Sequence, residues 1–176
     1  LQQAGAEIAF FHPFFFKRLW RPEINLRSHR KIVVIDGTIG FTGGINITDD
    51  ENEHIKKDAY IDLHFKIRGE IVRWLQLAFV ADWLYAGGKF AADTLYFPVP
   101  AETAGPIAAQ VLAAGPDTPF EPIHRAQVFA INSACKRVLL VTPYFVPSES
   151  AMMALTSAAL RGVDTALVVP LMSDNR

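Results

Sequence analysis

The stretch SHRKIVVIDGTIGFTGGIN, residues 28–46, sets a histidine, a lysine, an aspartate, two adjacent glycines and an asparagine into one short pattern. KIVVID is rich in β-branched residues and reads as a strand. Asp36-Gly37 is a tight-turn signal, and TIGFTGG reads as the returning strand, so the pair predicts a β-hairpin. His29 and Lys31 are two residues apart, which on a strand puts both side chains on one face. An imidazole beside an ammonium is a poor core pair, because an unpaired buried cation is costly. Facing a cleft, the pair makes sense: Lys31 holds an anion, and His29 attacks it or moves protons. Gly43 and Gly44 let backbone come close to a ligand. Asn46 adds a neutral donor beside them. Together they describe an anion site with a nucleophile and no evident metal cage, for which phosphate is the natural guest. The plainer alternative is a hairpin with a chance His and Lys at its edge. Against it stands the full string, H-x-K-x-x-x-x-D, then six residues, then G-G-x-N, whose chance occurrence is on the order of one in a million at ordinary residue frequencies.

Outward from the hairpin, LQQAGAEIAFF reads as a helix end, a stop at Gly5 and a short strand from Glu7 to Phe11. Residues 12–27 mix Phe14, Phe15, Phe16 and Trp20 with Lys17, Arg18, Arg21 and Arg27, and Pro13 and Pro22 break any long helix. NITDDENEHIKKD is a polar loop, AYIDLHFKIRG alternates as a strand, and EIVRWLQLAFVADWLYAGG predicts a helix ended by Gly87-Gly88. On that helix Trp74, Phe79 and Trp83 read as core. Residues 87–125 are rich in Gly, Pro and Ala and read as a long connection carrying one strand near Gln110–Ala113. A second unit follows: a helix at IHRAQVFAINSAC, a strand at RVLLVTPYFVP, a helix with Ser148 as N-cap and Gly162 as stop, and a strand at DTALVVP. Strand, helix, strand at this spacing predicts a parallel βαβ unit and an α/β fold.

The chain has 176 residues, enough for one domain or one and a half. Hydrophobic residues make up 51% and charged residues 20%, a globular composition able to bury a core. A formal net charge of -1 argues against a dedicated nucleic-acid binder, which is usually clearly basic. The single cysteine, Cys135, excludes an internal disulfide and reads as a small core residue. No apolar run approaches the roughly 20 residues that span a bilayer. The N-terminus lacks the layout of a signal peptide, and both ends read as cut from a larger protein.

His29, Lys31 and Asp36, followed by Gly43, Gly44 and Asn46, resemble the HKD motif of the phospholipase D superfamily. LRSHRKIVVIDGTIGFTGGINI, YIDLHFKIRGEIV, FVADW and TPYFVPSESAMMALTSAALRGVD resemble its cardiolipin synthase branch, so the likeness runs over nearly the whole chain. It implies a phospholipase D-like α-β-α sandwich, one mixed sheet flanked by helices. Residues 1–120 would be the first HKD half and 121–176 the truncated beginning of a second. It implies a phosphatidyltransferase that turns two phosphatidylglycerols into cardiolipin and glycerol. One histidine attacks the diester phosphorus to give a phosphohistidine. A second histidine protonates the leaving alcohol and then activates the acceptor. Lysines, asparagines and backbone stabilise the equatorial oxygens, with no cofactor and no metal. Carried over, His29 is nucleophile or general acid/base, Lys31 and Asn46 hold phosphate, and Gly43 and Gly44 give the close backbone approach. Asp36, on the opposite strand face at the turn, has mainly a structural role. Family members orient the histidine with a downstream carboxylate, a position that Asp62 matches best, with Asp58 and Glu53 as fallbacks.

The chain departs from the family in one respect: the second HKD motif is absent. None of His12, His54, His64 and His124 begins a second full H-x-K-x-x-x-x-D string. Such a chain carries half of an active site, completed either by a second HKD half of the parent chain or by a homodimer partner, and by itself it would be inactive in the first case. His54 and His64 fit no standard metal spacing and read as surface or satisfied histidines. The aromatic and basic segment 10–30 suits a membrane interface with anionic headgroups or, alternatively, a core strand and surface loop. The implied partners are a phosphatidylglycerol-like substrate and a membrane surface, with nucleic acid the weaker idea, and the implied place is the cytoplasmic membrane. The rival functions are a hydrolytic phospholipase D with water as acceptor, an HKD-type nuclease, and a non-catalytic lipid-binding remnant.

Overall fold

A two-residue reversal at Asp36-Gly37 sets the first sheet. In the computed structural model, which describes residues 1–10, 28–90, 96–99, 104–115 and 118–171, strands β1 (Ile32–Ile35) and β2 (Ile39–Gly43) pair antiparallel. Asp36 and Gly37 take φ of 52° and 64°, the paired positive values of a type I′ turn, whose twist suits a hairpin. The Thr38 amide closes the turn by donating to the Ile35 carbonyl at 3.1 Å. A side chain at Gly37 would also run into Pro98 and the Tyr96 carbonyl. Strand β3 (His64–Arg68) pairs antiparallel with the other edge of β2, giving the order β1-β2-β3.

Helix α1 (Ile71–Tyr85) packs on this sheet. Its buried residues, Val72, Leu75, Gln76 and Val80, follow the i, i+3, i+4, i+8 spacing of one helical face. Gly40, the buried residue of β2, faces them: a Cβ there would meet Leu75 at 2.8 Å and Val72 at 3.6 Å. The helix ends in a Schellman motif. Gly87, at φ 82°, donates to the Leu84 carbonyl at 3.0 Å, and Gly88 donates to that of Trp83 at 2.9 Å.

The chain divides into two units, Leu1–Gly115 and Pro116–Arg176. The second holds α2 (Pro122–Ser133), β4 (Arg137–Val141), α3 (Glu149–Leu160) and β5 (Asp164–Val168). β4 and β5 pair in parallel from Arg137↔Asp164 to Val141↔Val168, so the predicted βαβ unit forms. Ser148 caps α3, its hydroxyl accepting from the Ala151 amide at 3.2 Å. His124 of α2 lies 3.2 Å from the Ser148 hydroxyl and 3.0 Å from that of Ser150, tying the two helices together. Gly162, at φ 83°, and buried Val163 close α3 with a second Schellman pair, donating to Ala159 and Ala158.

The chain is therefore α/β, with its strands shared between an antiparallel sheet in one unit and a parallel pair in the other. Several local expectations are corrected. Residues 7–10 and 110–113 form no strand, and Phe11 lies outside the described residues. β3 is shorter than AYIDLHFKIRG suggests, because β2 stops at Gly43, opposite His64, and leaves Ala59–Leu63 without a ladder. Cys135 is exposed in the turn before β4 rather than buried. Trp74 and Phe79 are 58% and 43% exposed. Trp74 lies about 200° round the helix from Val72, and Phe79 stacks on Trp83 at 6.0 Å between ring centres. The aromatic and basic residues 11–27 lie outside the described residues. Among the described residues no helix is long and apolar enough to cross a membrane.

Gly40→Val is expected to cost about 1–3 kcal/mol by overpacking against α1, and Leu75→Ala about 2–5 kcal/mol through the cavity it leaves. The double variant should cost less than the sum, because the valine occupies the space that leucine vacates. Urea unfolding followed by the fluorescence of Trp74 and Trp83 checks this. Fully additive costs would mean that the two positions do not share one packing site.

Candidate active site

The antiparallel order brings three chain segments to one end of the first sheet. β1 is entered through His29–Lys31, β2 is left through Gly43–Asn46, and β3 is entered through Asp62 and Leu63. The Gly44 amide donates to the Leu63 carbonyl at 2.9 Å, carrying the contact one residue past the ladder. Of the candidate residues, His29, Lys31, Gly43, Gly44, Asn46 and Asp62 belong to this end. Asp36 does not: it sits in the hairpin turn at the far end of β1, where its positive φ and the following glycine reverse the chain.

The glycines serve close approach. A side chain at Gly43 would strike the Leu63 carbonyl and His64, and one at Gly44 would strike the carboxylate of Asp62. Asp62 is thereby held against the glycine pair, and one of its oxygens accepts from the Leu63 amide at 2.6 Å. Among the described residues no hydrogen bond links Asp62 to His29. The fallbacks Glu53 and Asp58 are exposed in the loop before β3.

His29 and Lys31 lie just before β1 rather than within it, because the ladder begins at Ile32↔Thr42. His29 is exposed and Lys31 half-buried, and the Lys31 ammonium donates to the His29 carbonyl at 2.9 Å. Arg30, between them, has other partners. Its guanidinium donates to the Asp82 carboxylate of α1 at 2.5 Å and to the Ala114 carbonyl at 2.9 Å.

Asn46 uses both of its donors on one carboxylate. Its amide and its side-chain Nδ2 donate to the two oxygens of Glu51, at 2.5 and 2.7 Å. Glu51 ends a short 3-10 turn, Asp49–Glu51, in a loop that the Lys56–Asp50 ion pair braces at 2.5 Å. That bond to Asp50 raises the Lys56 ammonium above the ordinary lysine range. His54 is exposed, as expected, but His64 is not a satisfied surface histidine. It is half-buried, and its Nδ1 is buried beside Gly43 with no hydrogen-bond partner among the described residues. The sequence carries no signal for Glu51, one of several acids in TDDENEH, nor for Arg30, whose partners lie 52 and 84 residues away.

Among the described residues no group of three or more His, Cys, Asp or Glu side chains could hold a metal ion. An open cleft of about 1310 Å³, lined by Lys66, Arg68, Arg73, Val99 and Ile107 among others, runs along β3 toward its Arg68 end. Neither Gly43 nor Gly44 lines it.

The chain is 41% identical over 181 residues to a cardiolipin synthase from Alkalihalophilus pseudofirmus, with 100% of the chain and 35% of that protein covered. It is 42% identical over 181 residues to a cardiolipin synthase from a Geobacillus species, with the same coverage. A probable cardiolipin synthase from Bacillus subtilis is 37% identical over 179 residues, covering 99% of the chain and 35% of that protein. The chain thus spans about a third of the length of these relatives. No family profile matches it, and no solved structure does. From end to end, the chain is similar to a region of these cardiolipin synthases.

Proposed function

We propose that this region supplies the first HKD half of a phosphatidyltransferase that makes cardiolipin from phosphatidylglycerol. The observation that carries the reading is the convergence of His29, Lys31, Gly43-Gly44, Asn46 and Asp62 at one end of one sheet. The grip of Asn46 on both oxygens of Glu51 supports it further. Two donors that span a carboxylate offer the bite that two non-bridging phosphoryl oxygens require.

In this reading a ring nitrogen of His29 attacks the phosphorus of phosphatidylglycerol. A P–N bond forms, the bond to the headgroup oxygen breaks, and glycerol leaves with a proton from a second acid. The free hydroxyl of a second phosphatidylglycerol then gives its proton to that group and attacks the same phosphorus. The P–N bond breaks, cardiolipin is released and His29 is regenerated. Lys31, Asn46 and the glycine backbone neutralise charge on the equatorial oxygens. Asp62 accepts from the other imidazole nitrogen and so orients His29. Asp36 makes the turn. The second acid belongs to a second HKD half, of which residues 121–176 are the beginning, or to a homodimer partner. The natural setting is the surface of the cytoplasmic membrane, where the substrate resides.

The test is an assay of the natural full-length protein on phosphatidylglycerol in mixed micelles with EDTA present, with products followed by mass spectrometry. Cardiolipin is expected, with His29→Ala reducing it at least about a thousandfold and abolishing a lipid-labelled protein species. Phosphatidic acid alone would make the protein a hydrolase, and unchanged cardiolipin in His29→Ala would remove His29 from the mechanism. A second variant probes the glycine contact. Gly44→Ala drives a methyl group into the Asp62 carboxylate and is expected to lower kcat about a hundredfold through misorientation of His29, with helix and strand content unchanged by circular dichroism. An unchanged kcat would separate Asp62 from His29.

A further inference from the structure

We infer that Arg30, the residue between the histidine and the lysine of the motif, is a positioning residue that sets the direction in which both of them project. This rests on the proposed role of His29 and Lys31 but is argued from a separate set of contacts.

Arg30 joins three segments distant in sequence. One guanidinium nitrogen donates to Asp82 on α1 and the other to the carbonyl of Ala114. The pair is partly sheltered, with 29% of the Arg30 side chain and 27% of the Asp82 side chain exposed. A guanidinium is planar and presents its donors in a fixed fork, so two acceptors fix the plane as well as the place of the group. The direction follows from the partner. Asp82 belongs to the helix that packs on the sheet through Val72 and Leu75, against Gly40. Arg30 therefore points to the helix-bearing side. In extended chain, successive side chains alternate, so His29 and Lys31 project to the other side. The bond from the Lys31 ammonium to the His29 carbonyl, two residues back, fits that arrangement. His29 and Lys31 precede the first ladder pair, Ile32↔Thr42, so sheet hydrogen bonds do not hold them. The Arg30 fork replaces the missing ladder.

Nuclear magnetic resonance of the 176-residue chain gives a readout that needs no turnover. Arg30→Ala and Asp82→Ala should each move the His29 and Lys31 resonances to averaged, random-coil positions while those of β2 and β3 stay dispersed. Arg30→Lys, which can reach only one acceptor at a time, should give an intermediate result. Resonances of His29 and Lys31 unchanged in Arg30→Ala would overturn the inference. So would a loss of dispersion throughout the first unit in both Arg30→Lys and Asp82→Asn, since the pair would then hold up the fold at large. In the full-length protein, Arg30→Ala is expected to lower kcat about a hundredfold with KM changed less than about threefold, because binding survives and aim is lost. The double variant with Asp82→Ala should be no slower than the single one. An unchanged kcat in an active protein would also overturn the inference. A wild-type protein that forms no product would count against the transferase reading alone, and the resonances would still decide the role of Arg30.

Discussion

The site end of this molecule depends on a place where side chains are missing. Gly43 and Gly44 end β2 with bare backbone, and β3 starts hard against it. Any side chain there would push Leu63, His64 or the Asp62 carboxylate away. The consequence is both structural and chemical. The pairing of β2 with β3 runs to the last residue of β2, and a carboxylate is carried to the same end of the sheet as the chain that holds His29 and Lys31. An ordinary hairpin with Val or Thr at those positions would keep the sheet and lose the approach. The opposite end of β1 and β2 solves a different problem, reversing direction within two residues, and it uses Asp36 and Gly37 for that. The two conspicuous glycine sites of one short motif thus have separate physical causes.

Much of this was legible in residues 28–46, because turn chemistry and β-branching act locally. The hairpin, the helix from Ile71 and the βαβ unit all follow from period, caps and glycine stops. What stayed illegible depends on partners far along the chain. Gln110–Ala113 has strand composition but finds no neighbouring strand, and Ala59–Leu63 loses its ladder because β2 is short. Cys135 looks buried in an apolar run, yet it falls in the turn between α2 and β4. Composition showed an apolar α1 but not which of its faces meets the sheet, so Trp74 was misread as core. At the site, residue types announced the histidine, the lysine and the glycines. The fork of Arg30 and the bond from Asn46 to Glu51 became visible only when three-dimensional neighbours were known.

The Asn46–Glu51 contact also says something about charge. The loop after the motif is acidic, with Asp49, Asp50 and Glu51 in one turn. A phosphate group brought to Asn46 meets a carboxylate already holding both donors. In the proposed reading the anion must displace Glu51 or share the donors with it, against Coulomb repulsion between the two. Donors matched to two oxygens are thus not idle before substrate arrives, and satisfying them internally avoids the cost of leaving polar groups bare.

In the proposed reading, proton transfer makes the site at this end one half of a catalyst. Splitting a phosphodiester through a histidine adduct needs a nucleophile that is unprotonated and an acid that is protonated, at the same time and on opposite sides of the phosphorus. One imidazole cannot hold both states in one step. In the proposed reading the remaining described histidines are not the acid. His54 is exposed in a loop, the Nδ1 of His64 is buried beside Gly43, and His124 is engaged by Ser148 and Ser150 in the second unit. Lys56 and Lys66 stand two residues past His54 and His64, but neither string goes on to the aspartate that Asp36 supplies after His29. In the proposed reading the acid comes from a second half or a homodimer partner, and the chain spans 35% of a relative that matches it over its whole length.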